Sequence, residues 1–204
     1  MNTTKIQKNA KWLDTLLKVL QKIILISMIV AVCIFLVVTI INAVDPDYML
    51  GEDRHKIYIG PIAITLAEGH TPNNSSILTH GWILLSLGAI SAAVTYYALG
   101  CIRNILCSAT LGEPFYTTVG KDIRKIGYVS IILGIVENVA GFLEAQNVLY
   151  NFGVANLIDG SAISDISIDY DLDLNFLILF AVLLLLSYIF EYGAKLQQLS
   201  DETL

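Results

Sequence analysis

A stretch of 22 uncharged residues, Ile23 to Val44, limits what this chain can fold into more than any other feature. At a rise of about 1.5 Å per residue, a helix of this length crosses the roughly 30 Å hydrocarbon layer of a bilayer. A cleaved signal peptide is the alternative, but the run exceeds the usual core of about 7–15 residues and no clean small-residue cleavage site follows it. Residues 23–44 are therefore predicted to form a transmembrane helix.

Three further apolar stretches, at residues 77–102, 126–144 and 174–192, predict three more transmembrane helices. The composition agrees, because 55% of the residues are hydrophobic and 15% are charged, with a mean hydropathy of +0.68. Soluble domains carry about 25% charged residues, so a soluble globular enzyme, a disordered chain and a fibrous protein are excluded. We predict an all-α polytopic membrane protein whose residues 1–204 form one membrane domain with four transmembrane helices.

The positions of lysine and arginine predict the orientation. Ten of the twelve lie in three segments outside these spans, at residues 1–22, 103–125 and 193–204. The two other segments, residues 45–76 and 145–173, contain only Arg54 and Lys56. By the positive-inside rule, both termini face the cytoplasm and residues 45–76 and 145–173 are outer loops.

The net charge of −6 hides an asymmetry between the two sides. The outer loops carry ten acidic and two basic residues, a net charge of −8, whereas the inner side is mildly positive. We therefore expect the inner side to contact the anionic lipid of the bilayer, with Lys121, Arg124 and Lys125 at its headgroups.

The segment before the first span has a helical periodicity of its own. Its apolar residues recur at spacings of three and four, with lysines around the remaining face: Ile6, Ala10, Leu13, Leu17 and Leu20. Two structures fit this pattern, an amphipathic helix lying on the inner leaflet and an extension of the first transmembrane helix into the cytosol. The sequence leaves both open.

Both outer loops contain strand-like patterns. In the first loop, isoleucines recur over residues 57–66 and are interrupted by Gly60 and Pro61, a pair that favours a bulge or an edge position. In the second, apolar and polar residues alternate over residues 166–174, which is typical of a half-buried strand. Together these patterns predict a small extracellular β-structured cap, built from the first and third loops of the chain.

Three aspartates share the polar face of the second strand: Asp169, Asp171 and Asp173. Their spacing resembles the start of an EF-hand loop, but Leu174 and Phe180 stand where that motif has its glycine and its bidentate glutamate. An EF-hand is therefore excluded. The three aspartates form either a solvated acidic face or a weak binding surface for cations or cationic peptides.

Glu137 is the one acidic residue that the predicted spans place inside the apolar layer, about 10 Å below its outer edge. A charge at this depth costs a few kcal/mol, so Glu137 should face protein or water. It lies on a seam of small or polar residues in the third span: Gly127, Ser130, Gly134, Gly141 and Glu144. The predicted packing partner of this seam is a small-residue face of the second span: Gly81, Gly88, Ser91 and Thr95.

The polar residues predicted near Glu137 define a candidate intramembrane site: Asn138, Ser86, Thr39 and His80. The site has two interpretations, an ion, proton or ligand site and a hydrogen-bonded buried glutamate that fixes helix register. Because the apolar cores of the four spans, residues 23–44, 81–102, 126–143 and 174–190, contain no second acidic or basic residue that could continue a proton relay, the structural interpretation is favoured.

No motif of catalysis or metal binding is recognisable in the sequence. Glycine-rich phosphate loops, HExxH and paired intramembrane aspartates are all missing. Cys101 and Cys107 form a Cys-x5-Cys pair without neighbouring ligands, which is a poor zinc signal. We predict no enzymatic activity, no cofactor and no metal site.

Two stretches carry recognisable motifs. Leu111-Gly-Glu-Pro-Phe115, with basic residues after it, contains G-x-P-F, and the C-terminal stretch 193–203 contains G-x-x-L-Q-x-x-x-D-x-T. Both resemble motifs of the bacterial membrane-protein family called domain of unknown function 2975, in which a basic helix follows G-x-P-F. The resemblance implies a four-span bacterial plasma-membrane protein. It also implies a cytosolic partner, a small helix-turn-helix regulator, with these candidate contacts: Gly112, Pro114, Phe115, Leu196, Gln197 and Asp201.

Two functions remain for such a chain. The first is a non-enzymatic accessory, signalling or protective protein, whose acidic outer cap meets an extracellular condition or partner, for example a cationic peptide, and whose inner motifs contact a cytosolic protein. The second is a small transporter or channel that uses Glu137, as a homo-oligomer because four helices alone make a narrow pathway. Neither function involves direct binding of nucleic acid.

Overall fold

The computed structural model of this chain describes residues 3–45, 56–59, 62–65, 74–110, 117–146 and 172–202. In chain order they form α1 (Thr3–Val44), β1 (Lys56–Ile59), β2 (Ile62–Thr65), α2 (Asn74–Thr110), α3 (Thr117–Gln146) and α4 (Asn175–Glu202). Four helices among these residues are long and apolar enough to cross a membrane, as judged by length and composition. The prediction of a multi-pass membrane protein with four helical spans is confirmed at this level.

The helices extend beyond the predicted spans. α1 runs unbroken from Thr3 to Val44, so the N-terminal arm is an extension of the first transmembrane helix. α2 and α3 continue into the segment predicted as a cytoplasmic loop, and only residues 111–116 lie between them. α4 passes Gly193, where its end was predicted, because the helix-forming residues 194–199 outweigh the cost of about 1 kcal/mol for one glycine.

β1 and β2 form an antiparallel hairpin in the segment predicted as the first outer loop, with Lys56 opposite Thr65 and Ile59 opposite Ile62. The strand-like stretch predicted there is thus divided into two strands that pair with each other. Of the strand predicted over residues 166–174, only residues 172–174 are described, and they are not in a strand. The prediction of a cap that joins both loops concerns residues outside the described ranges.

The chain divides into two compact units. Unit 1 comprises Met1–Met28, Ala89–Val136 and Asp173–Leu204, and unit 2 comprises Ile29–Gly88 and Glu137–Leu172. Within unit 2, the ring of Trp82 meets the ring of Phe35 edge-on, with 4.9 Å between their centroids. Gly81 makes this contact between α1 and α2 possible, because a Cβ at this position would overlap the Phe35 ring.

Glycines of α3 determine the packing in unit 1. Three of them recur every seven residues and therefore lie along one side of the helix: Gly120, Gly127 and Gly134. A Cβ at Gly120 would stand 2.6 Å from Cγ of Glu191, and one at Gly127 would stand 3.2 Å from Cδ2 of Phe180. At Gly134 a Cβ would overlap Phe176, so side chains of α4 occupy the space that all three glycines leave.

This packing confirms the predicted seam at Gly127 and Gly134 but corrects its partner. The seam meets large side chains of α4, whereas the partner predicted for it was the small-residue face of α2. On that face, no atom of the described residues outside the adjacent turns of α2 lies within 4 Å of a Cβ placed at Gly88. The physical reason is that a groove lined by glycines makes more van der Waals contact with protruding side chains than with a second groove.

Candidate functional site

Arg103 of α2 connects α2 to α1 in unit 1. Its Nε donates a hydrogen bond to Oδ1 of Asp14 at 2.8 Å, and its Nη1 donates one to Oε1 of Gln21 at 2.9 Å. Asp14 and Gln21 are seven residues apart on α1, which places them on one face within reach of the same guanidinium. Gln21 is buried, and its amide donates to the carbonyl oxygen of Tyr96 at 3.1 Å.

A second polar connection joins α3 to α4. Nη2 of Arg124 contacts Oε1 of Glu191 at 2.7 Å, and the guanidinium lies over the ring of Tyr188 at 5.3 Å from its centroid. Ser187, which is fully buried, donates its hydroxyl to the carbonyl oxygen of Gly120 at 2.8 Å. The glycine allows this contact, because the backbones of the two helices come close only where one of them lacks a side chain.

Asp122 is a buried carboxylate on α3. Its Oδ1 contacts Nζ of Lys125 at 2.7 Å, and its side chain is 6% exposed. The thiol of Cys101 on α2 is buried and lies close enough to both charges to interact with them. Arg124 and Lys125 each pair with a carboxylate of the protein, and their contact with lipid headgroups stays a prediction.

A polar groove of about 490 Å³ lies between α1 and α2. Three cations and one carboxylate line it, together with polar and apolar side chains: Lys11, Lys18, Arg103, Asp14, Thr15, Asn104, Leu106, Cys107 and Thr110. Lys18 contacts Asp14 at 2.7 Å on the opposite side of the carboxylate group from Arg103. The lining has two more positive charges than negative ones, so the groove attracts anions.

The residues of the predicted intramembrane site fall in unit 2. The hydroxyl of Thr39 donates to the carbonyl oxygen of Phe35 and that of Ser86 to the carbonyl oxygen of Trp82, each at 2.8 Å within its own helix. Glu137 is exposed and makes no hydrogen bond or ion pair with the other described residues. The two hydroxyls are therefore used locally, and a shared polar site around Glu137 stays a prediction.

Two further members of that site differ in burial. Asn138 is half-buried and has an interaction partner. Nε2 of His80 is buried and has no hydrogen-bond partner in the part of the chain that the structure describes. Neither residue forms a described hydrogen bond to Glu137.

The acidic face and the cytoplasmic motifs are described only in part. Asp169 and Asp171 lie outside the described residues, as do Gly112, Pro114 and Phe115. The carboxylate of Asp173 accepts a hydrogen bond from the backbone N–H of Asn175 at 2.9 Å, so it caps the start of α4. Leu196 and Gln197 are exposed on α4, and Asp201 belongs to its last turn.

The sequence interpretation missed the acidic and polar partners that hold unit 1 together: Asp14, Gln21, Asp122, Ser187 and Glu191. One signal could have revealed the connection between α3 and α4. Gly120 and Arg124 are four residues apart, and so are their partners Ser187 and Glu191. Matching spacings of four place both pairs on facing sides of two helices. Among the described residues, no group of three or more His, Cys, Asp or Glu could hold a metal ion.

Comparisons with protein-family models, with curated proteins and with solved structures found no match. The resemblance to the family called domain of unknown function 2975 therefore stays a prediction from the two motifs.

Ser187→Ala should lower the free energy of unfolding by about 1 kcal/mol, because it removes a buried hydrogen bond between α3 and α4. Ser86→Ala is the matched control, since the Ser86 hydroxyl is exposed and bonds within its own helix. Unfolding in mixed detergent micelles, followed by circular dichroism, measures both variants. Equal stability losses would contradict a special role for the contact to Gly120.

Proposed function

We propose that this chain is a non-enzymatic accessory or signalling protein of a bacterial plasma membrane, with both termini in the cytoplasm. One observation carries the proposal: two ion pairs of unit 1 join one helix to another. Arg103 with Asp14 and Arg124 with Glu191 are cross-helix pairs with contacts of 2.8 and 2.7 Å. A transport pathway needs ionisable groups along a route through the apolar layer, whereas these charges stabilise contacts between helices near their polar ends.

The asymmetry of charge supports the orientation and an acidic outer side. The hairpin of β1 and β2 lies in the segment predicted as the first outer loop, and a two-stranded hairpin is only marginally stable alone. We propose that residues of the third loop, including Asp169 and Asp171, complete a cap with it. A cap of this charge suits a cationic partner such as a basic peptide, which is the protective version of the function.

A cytosolic partner is the other half of the proposal. Tyr192 and Leu196 on the last turns of α4 are 65% and 50% exposed. Apolar side chains on a helix that extends beyond its span offer a contact surface to another protein. By the family resemblance, that protein is a small helix-turn-helix regulator, and Gly112, Pro114, Phe115, Gln197 and Asp201 would belong to the same contact.

A crosslinking pull-down of the full chain from native membranes tests this contact. We expect a cytosolic protein to be recovered with the wild type and reduced at least several-fold with Leu196→Ala and Phe115→Ala. Lys195→Ala is the matched control, because Lys195 is exposed on the same helix but belongs to neither motif. Recovery that is equal in all variants would contradict the proposed contact, and crosslinks between copies of the chain would reveal a homo-oligomer.

The transporter function makes the opposite prediction for Glu137. We expect proteoliposomes with the wild-type chain to show no more proton or solute flux than empty vesicles, and Glu137→Gln to change stability by less than about 1 kcal/mol, since the side chain is exposed. A pH-sensitive dye inside the vesicles measures proton flux. Flux above the empty-vesicle level that Glu137→Gln abolishes would overturn the proposal in favour of a transporter or channel.

A further inference from the structure

The N-terminal part of α1 has three distinct faces at helical spacing. One is buried in unit 1: Ala10, Leu17 and Gln21. The second lines the polar groove: Lys11, Asp14, Thr15 and Lys18. The third consists of exposed apolar side chains next to the groove face: Trp12, Leu16, Val19 and Ile23, which are 66, 38, 51 and 54% exposed. α1 thus places a basic groove and an uncovered apolar stripe side by side.

The cations of the groove have more N–H donors than their described ion pairs and hydrogen bonds use. The ammonium group of Lys18 has three N–H donors, and its described ion pair with Asp14 uses one. The guanidinium of Arg103 has five, and its hydrogen bonds to Asp14 and Gln21 use two. Lys11 is exposed and has no ion pair with the described residues. A surplus of two positive charges with free N–H donors is the chemistry that binds a phosphate group.

The groove lies at the height of the lipid headgroups. Lys18 precedes the apolar stretch by five residues, which corresponds to about 8 Å along the helix. The headgroup layer on each side of a bilayer is roughly 5–8 Å thick. A phospholipid whose phosphate enters the groove would therefore have its acyl chains level with the apolar stripe that continues through Val19 and Ile23.

We infer that the groove between α1 and α2 binds the phosphate headgroup of an anionic phospholipid, with its acyl chain against Val19 and Ile23. The volume of about 490 Å³ falls within the range of about 300–1,000 Å³ that is usual for small-molecule sites. A free phosphate would use only the cations of the groove, whereas a phospholipid uses the cations and the stripe. The site rests on the proposed orientation only for the choice of the inner leaflet.

Tryptophan fluorescence in lipid vesicles tests this site. The chain has two tryptophans, so Trp12→Phe with Trp82→Phe removes both, and Val19→Trp then places a single reporter on the stripe beside the groove. We expect phosphatidylglycerol with brominated acyl chains to quench this reporter with a relative binding constant on the order of 10-fold above brominated phosphatidylcholine at low salt. Lys11→Gln with Lys18→Gln should reduce this ratio at least threefold.

The matched control removes two charges elsewhere on the predicted inner side. Lys121 and Lys195 are exposed on α3 and α4 and do not line the groove, so Lys121→Gln with Lys195→Gln should keep the ratio unchanged. Circular dichroism confirms that each variant is folded. Equal losses in both double variants would mean that surface charge alone attracts the lipid, and they would overturn the site.

Two further outcomes also decide against it. A wild-type chain without preference for phosphatidylglycerol lacks the site. Loss of the preference in glycerol phosphate, but not in sulfate of the same ionic strength, would mean that the groove takes a soluble phosphate ester. None of these measurements involves a protein partner or flux. The lipid site can therefore be disproved without affecting the proposed function, and the proposed function can be disproved without affecting the lipid site.

Discussion

Gly120→Ala should lower the free energy of unfolding by about 2–3 kcal/mol, because the added methyl group meets the backbone of a neighbouring helix. The new Cβ would stand 2.6 Å from Cγ of Glu191 and 3.0 Å from the backbone oxygen of Ser187. The Glu191 side chain can rotate, but a backbone oxygen can move only with its helix. α3 and α4 must therefore separate, which also stretches the Ser187 hydrogen bond and the pair between Arg124 and Glu191.

Gly88→Ala is the matched control for this prediction. Among the residues that the structure describes, nothing outside the adjacent turns of α2 lies within 4 Å of this Cβ position, so the variant should be neutral or gain up to about 1 kcal/mol from the higher helix propensity of alanine. Unfolding in mixed detergent micelles measures both variants under the same conditions. Gly134→Ala, whose Cβ would overlap Phe176, should behave like Gly120→Ala. If Gly120→Ala were as stable as Gly88→Ala, the close approach of α3 and α4 would be wrong.

Arg103→Ala should lower the free energy of unfolding by about 2 kcal/mol. The substitution removes both hydrogen bonds that Arg103 donates to α1 and leaves Oε1 of the buried Gln21 without its donor. The Arg103 and Asp14 side chains are 31% and 28% exposed, so solvent screening keeps the loss below that of a fully buried pair. Hydrogen exchange should show faster opening of residues 8–22, because only the hydrogen bond from Gln21 to the Tyr96 carbonyl then remains of the described polar contacts between α1 and α2.

Arg103→Lys separates geometry from charge. Lysine keeps the positive charge but cannot reach Asp14 and Gln21 with two fixed N–H donors, so the variant should lose about half as much stability as Arg103→Ala. A double-mutant cycle of Arg103→Ala and Gln21→Ala should give a coupling free energy of about 1 kcal/mol. A coupling free energy of zero, or an Arg103→Lys variant as stable as the wild type, would contradict the two hydrogen bonds from Arg103 to Asp14 and Gln21.

The spans were predictable because the transfer of a helix into lipid depends on that helix alone. The uncharged stretch at residues 23–44 crosses a bilayer whichever helix lies beside it. The ends of the helices were less predictable. The hydropathy of residues 103–125 predicts a loop. In the structure α2 and α3 extend through most of this segment, because their charged residues have partners on neighbouring helices.

The candidate site was predicted least well, and Glu137 shows why. Its depth follows from the sequence, but the direction of its side chain depends on the rotation of α3 about its axis. In the described chain α3 turns its glycines toward α4, and Glu137 is exposed. The predicted seam did not include Gly120, because this residue lies in the basic segment outside the predicted span. It nevertheless continues the seven-residue spacing of Gly127 and Gly134.

The sequence by itself determined the number of apolar spans, the excess of acid in two loops and the excess of base in the other segments. The hydropathy and the charge of a segment are sums over residues that are neighbours in the sequence, so they do not depend on which helices pack together. Only the tertiary structure decided which charges meet. Arg103 and Asp14 are 89 residues apart and Arg124 and Glu191 are 67 residues apart, and their contacts depend on how each helix is rotated and how closely glycines let the helices approach.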